Sequence, residues 1–141
     1  MDTTTNRIRQ IGLVMVPSTD QDRSIEFYEA LGFEKRQDVP FADNHRWVEV
    51  YPPEGTTGIA LISTRPEDRN GVQTGILLSV DDIDATHRRL RSAGVDVDAE
   101  VARKGGSTAI RLGAAEFVDP VPSMFWFRDP DGNTLLIVGA N

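Results

Sequence analysis

Residues 11–33 read IGLVMVPSTDQDRSIEFYEALGF, and two structural periods meet inside this stretch. Ile11 to Val16 is an apolar, β-branched run closed by Pro17, Ser18 and Thr19, the punctuation of a strand giving way to a helix. From Asp20 the spacing changes. Ile25, Tyr28 and Leu31 recur at helical intervals, Thr19 or Asp20 supplies a cap, and Gly32 supplies a left-handed stop. The pattern predicts a strand over 11–16 and a helix over 22–31. Three strand-like stretches follow at 33–37, 46–51 and 58–63, divided by turn-rich segments holding Asp43-Asn44, Pro52-Pro53 and Glu54-Gly55. Strand, helix and three strands make one βαβββ unit.

The second half repeats the plan. Ile76 to Val80 reads as a strand, and Asp81-Asp82 caps a helix whose apolar face is Ile83, His87 and Leu90, ending at Gly94. Strands are expected at 95–101, 107–112 and 124–127, the last leading into 134–138 through Asp129-Pro130-Asp131-Gly132-Asn133. Placing Leu31-Gly32-Phe33 over Ala93-Gly94-Val95 aligns Asp22 with Asp84, Tyr28 with Leu90, and Val48 and Val50 with Ile110 and Leu112. The expectation is a single α+β domain of two βαβββ modules, about 8–70 and 72–141, that share a concave cleft. That cleft is the natural place for a ligand.

Composition narrows the function. With 22 acidic and 15 basic residues in 141, the net charge of −7 repels phosphate backbones and anionic headgroups, which argues against nucleic acid or a membrane as partner. There is no cysteine, so disulfides, thiolate metal sites and thiol catalysis are excluded. The polar stretch Met1 to Gln10 lacks the apolar core of a signal peptide, and no apolar run reaches membrane-spanning length, so a cytoplasmic location is expected.

Val16 to Asp20, Asp22-Arg23-Ser24-Ile25-Glu26-Phe27-Tyr28, Leu31-Gly32-Phe33 and Arg128-Asp129-Pro130-Asp131-Gly132-Asn133 together resemble the vicinal oxygen chelate superfamily. This is the group of glyoxalases, bleomycin-resistance proteins and extradiol dioxygenases. The resemblance spans nearly the whole chain and implies the paired-module fold, not a particular reaction. In metal-dependent members it implies four ligand positions, on the first and last strand of each module. Here they fall at Ile11, Leu61, Gly75 and Leu136, none of which has a donor atom in its side chain. A one-residue slip to Gln10 or Thr74 would turn the side chain to the other sheet face. No metal and no cofactor are expected.

Of two histidines, His87 lies on the apolar stripe of the second helix and reads as a packed residue, whereas His45 sits in a loop where it is exposed or orients a ligand. Glu49 shares a strand face with Trp47 and Tyr51, opposite Val48 and Val50. If that face lines the cleft, an aromatic-flanked carboxylate can bind a cation or act as a base; otherwise it belongs to an amphipathic strand. Phe125, Trp126 and Phe127 alternate, so that either one set packs under a helix while the other forms an apolar wall for a flat ligand, or both sets are buried core. Pro120-Val121-Pro122-Ser123 and Gly105-Gly106 bracket an irregular loop that reads as a cover over the cleft, and Gly105-Gly106 lacks the pattern of a phosphate cradle.

The reading is a metal-free protein similar to the bleomycin-resistance branch, a homodimer that sequesters an aromatic or cationic small molecule such as an antibiotic. Trp47, Glu49, Tyr51, Phe125 and Trp126 are its expected ligand-binding residues, over a floor of Leu61, Leu77 and Leu136. No residue is assigned a catalytic role. The alternative is a lyase, isomerase or dioxygenase of the same superfamily with a shifted or absent metal site.

Overall fold

The computed structural model describes residues 6–140. The chain divides into two compact units, one ending at Asp68 and the other beginning at Arg69.

In the first unit, β1 (Leu13–Ser18) leads into α1 (Gln21–Ala30), followed by β2 (Glu34–Pro40), β3 (Arg46–Tyr51) and β4 (Gly58–Ser63). The four strands form one sheet in the order β1-β4-β3-β2, with β1 and β4 parallel and the remaining pairs antiparallel. Asp20 caps α1 through a side-chain oxygen that accepts from the Arg23 amide at 3.0 Å. Gly32, at φ 107°, stops it, and the Phe33 amide reaches back to the Tyr28 carbonyl at 3.0 Å. β1 extends two residues beyond the expected end. Pro17 lacks an N–H, but β1 lies at the sheet edge, where a missing donor is tolerated. Ser18 is then sealed by a 2.6 Å hydroxyl pair with Ser24 of α1.

The helix covers one face of this sheet. Val16 and Val48 both lie beside Leu61 in register, and all three are fully buried together with Tyr28. The Tyr28 ring meets Phe27 and Phe33 edge-on, with centroids 5.3 and 5.4 Å away. Gln21 ties the start of α1 to the sheet, its amide donating to the carbonyls of Arg46 and Leu61 at 2.9 and 2.8 Å.

The second unit has the same plan with an insertion. β5 (Gln73–Val80) leads into α2 (Ile83–Ser92), then β6 (Asp96–Val97), β7 (Ile110–Leu112), β8 (Ala115–Phe117), β9 (Met124–Arg128) and β10 (Thr134–Gly139). The sheet order is β5-β10-β9-β6, again with the first and last strands parallel. Asp82 caps α2 and Gly94 ends it, as Asp20 and Gly32 do for α1. The strand expected at 107–112 is not in this sheet: β7 pairs only with β8, as a separate hairpin. The alignment of Val48 and Val50 with Ile110 and Leu112 is therefore corrected. Pairing makes β9 the counterpart of β3, so Phe125 and Phe127 answer to Val48 and Val50. Ile110 packs with Ala102, Met124, Leu136 and Val138, and Leu112 and Trp126 lie against that cluster. The inserted hairpin thus caps part of its own unit's sheet. No described helix is long and apolar enough to cross a membrane.

Arg46 joins three elements of the first unit. It forms a two-point pair with Asp38 of β2 at 2.9 and 2.7 Å and reaches Asp22 of α1 at 2.8 Å. Arg46 and Lys35 hold the Asp38 carboxyl well below the usual carboxylate range. A depressed folded pKa contributes stability above the unfolded value, and that contribution is lost as pH falls toward the folded one. Asp38→Asn should lower stability by about 1 kcal/mol at neutral pH, given the partial exposure of the pair. The gap between wild type and variant should narrow below about pH 4, which paired denaturant melts at pH 7 and pH 3 will show.

Candidate binding face

Because α1 takes Val48, Val50 and Leu61, strand alternation turns the odd-numbered residues of β3 to the opposite face. Trp47, Glu49 and Tyr51 share that face with Ala60 of β4, which lies across from Glu49, and with Met15 of β1, which lies across from Ala60. Glu49 is clamped between its strand neighbours. Trp47 Nε1 donates to one carboxylate oxygen and the Tyr51 hydroxyl to the other, each at 2.6 Å. The bond to Glu49, followed by desolvation, raises the Tyr51 pKa above its ordinary value of 10.0, so the hydroxyl stays a donor at neutral pH.

Three further residues shape this face, and local sequence pattern did not mark them. Phe41, in the loop between β2 and β3, sets its ring edge-on to Trp47 at 5.9 Å while remaining 58% exposed. The Arg36 guanidinium lies 4.5 Å from the centre of the Tyr51 ring. It is held there by the carbonyls of Gly55, Pro52 and Pro53 at 2.7, 3.2 and 2.9 Å. Gly58 makes room for the same ring, since a Cβ there would lie 2.7 Å from Tyr51 ring carbons. A glycine opening an apolar strand does not reveal in sequence which cross-strand ring needs the space its missing side chain leaves. The exposed loop residue His45 contacts its own hairpin through backbone groups, including a 2.8 Å bond from the Phe41 amide to the His45 carbonyl.

The other expected site residues divide by parity. In the second unit Trp126, Leu77 and Leu136 share the face turned away from α2, with Leu136 between the other two. Trp126 is partly buried, and its indole N–H donates to the Arg111 carbonyl of the hairpin at 3.1 Å. Leu61 and Phe125 are placed differently from the expectation. Both are fully buried on the helix-covered faces, Leu61 beside Val16 and Val48, Phe125 edge-on to His87 at 4.8 Å. Each lies in an unbroken apolar run, so only strand register reveals its face. Ala60 occupies the place expected of Leu61. His87 is a packed residue whose Nε2–H donates to the Asp98 carbonyl at 2.7 Å.

The profile of the Glyoxalase/Bleomycin resistance protein/Dioxygenase superfamily matches residues 10–137. The chain belongs to this superfamily. Among solved structures it is similar to TnmS3, an antibiotic binding protein from Streptomyces sp. CB03234, at 31% identity over 95% of this chain and 98% of that one, with a TM-score of 0.72. A glyoxalase/bleomycin resistance protein from the same Streptomyces is 32% identical over 89% and 96% of the two chains, at a TM-score of 0.64. A superfamily member from Sphaerobacter thermophilus DSM 20745 is 28% identical over 94% and 98%, at 0.72. No curated protein matches the chain.

Metal-dependent members of the superfamily need three or more oxygen or nitrogen donors converging on one point. Among the described residues no three His, Cys, Asp or Glu side chains do so. Of the four expected ligand positions, Leu61 faces α1, Gly75 sits at a bulge with φ 74°, and Ile11 and Leu136 are apolar. Glu49, the carboxylate of the first unit's face, already accepts from two protein donors. These residues do not fit a divalent ion.

Gly58→Ala should move the Tyr51 ring and lower stability. In a Tyr51→Ala background the same change should cost little, giving a coupling energy of about 1 kcal/mol or more in a double-mutant cycle measured by chemical denaturation.

Proposed function

We propose that the protein binds a small aromatic or cationic organic molecule on the Trp47-Glu49-Tyr51 face, without metal, and protects by sequestration, as an antibiotic-binding protein does. The observation that carries this reading is the Glu49 carboxylate, fixed by two donors and flanked by the rings that supply them. Such a group has little left to reorganise when a ligand arrives. Likeness to TnmS3, described as an antibiotic binding protein, supports the same reading. Leu77 and the partly buried Trp126 provide a second, apolar surface in the other unit, with Leu136 buried between them against Ile110.

The working form proposed is a homodimer. Met15 on β1 and Leu77 on β5 stand at equivalent places on edge strands, 69% and 55% exposed. Large apolar side chains on exposed sheet edges are what a second copy would cover.

Calorimetric titration with a panel of aromatic antibiotics tests the binding. Trp47→Ala should weaken any hit by about 2 kcal/mol or more, whereas addition of nickel, zinc, manganese or iron(II) should leave both affinity and melting temperature unchanged. Stoichiometric metal uptake with strong stabilisation would overturn the metal-free reading, and a single-chain mass in sedimentation would overturn the dimer.

A further inference from the structure

Building on that binding function, we infer the chemical class of the ligand: a flat aromatic ring carrying a protonated amine, one per chain, with the amine against Glu49. Three observations converge on it. The first is hydrogen-bond arithmetic. A carboxylate offers about four acceptor sites, and Trp47 and Tyr51 fill one on each oxygen, leaving capacity on both. Trp47 has one side-chain N–H and Tyr51 one O–H, both committed to Glu49, so the Trp47 ring presents π surface and the carboxylate beside it presents acceptors. A ligand rich in N–H donors is the complement, whereas an anion or an acceptor-only ring meets unmatched lone pairs.

The second observation is charge. Among the described residues no Lys, Arg or His forms an ion pair with Glu49. The nearby guanidinium of Arg36 is fastened instead to three carbonyls and to Glu34. The neutralising cation is therefore left for the ligand to bring. The rings of Trp47 and the exposed Phe41 would stabilise it further through their π faces and offer a flat wall for the rest of the molecule, the Tyr51 ring being already covered by Arg36.

The third is the asymmetry of the two units. Glu49 pairs with Ala60 as Trp126 pairs with Leu136, so Trp126 stands where the second unit would carry a twin carboxylate. Its N–H is bound to the hairpin, and Arg128, the counterpart of Tyr51, is paired with Asp98 and Asp96. The second unit's face is apolar and partly capped where the first is polar, which gives one amine site per chain.

Calorimetry on the full chain tests this with three tricyclic probes: 9-aminoacridine, a planar cation at neutral pH; acridone, planar and neutral; and 9-anthracenecarboxylate, planar and anionic. The expected order of affinity is cation, neutral, anion, with one 9-aminoacridine per chain. Glu49→Gln should weaken 9-aminoacridine about tenfold and leave acridone nearly unchanged, the scale of one charge-assisted hydrogen bond. Equal binding of acridone and 9-aminoacridine by the wild-type protein would overturn the amine while leaving aromatic binding standing, and this comparison needs no variant. Failure of all three probes to bind would overturn the binding function itself.

Discussion

The contact of Val16, Val48 and Leu61 beneath α1 governs the rest of the first unit. A strand has two faces, and a helix laid across one of them settles which residues are hidden and which are available. Once Val48 is under the helix, Glu49 cannot be, and Trp47 and Tyr51 must accompany Glu49. β9 and β10 obey the same rule beneath α2, which covers Phe125, Phe127, Leu135 and Ile137, whereas Trp126 and Leu136 turn to the other face, where Leu136 is buried against Ile110 of the inserted hairpin. Packing on one side of each sheet thus writes the chemistry of the other.

What the first unit does with its free face depends on interactions between near neighbours. Residues two apart on a strand point the same way, which lets Trp47 and Tyr51 reach the same carboxylate from opposite sides. Gly58 gives the Tyr51 ring its space and Arg36 lies over that ring, so the hydroxyl is aimed by packing as well as by its own bond. The second unit uses the corresponding surface differently, seating Ile110 of the inserted hairpin among Ala102, Met124, Leu136 and Val138.

Features fixed by local chemistry were legible in the sequence. Asp20 and Asp82 cap helices, and Gly32 and Gly94 end them, because capping and left-handed stops involve residues only a few positions apart. The shared face of Trp47, Glu49 and Tyr51 was legible for the same reason. Leu61 and Phe125 were not, since apolar runs such as Ile59-Ala60-Leu61-Ile62 carry no alternation and their parity is set by partners far along the chain. Residues 107–112 read as strand, yet nothing local distinguishes a strand within the main sheet from half of a separate hairpin. Pro17 read as a terminator because edge position, which excuses a missing N–H, is a property of topology. Phe41 lies in a loop without periodicity, and its role emerges only from the neighbouring Trp47 ring.

The double clamp on Glu49 also bears on kinetics. A carboxylate whose two oxygens are held by neighbouring rings has its rotamer set when the chain folds, so a ligand meets a surface already in its bound geometry. Arrival is then governed by diffusion and orientation, which vary little among related ligands, and discrimination falls on how long each one stays. Substitutions that loosen the clamp while sparing the carboxylate, such as Tyr51→Phe, would act on residence time. Adaptation toward a new compound would proceed mainly by slowing its escape.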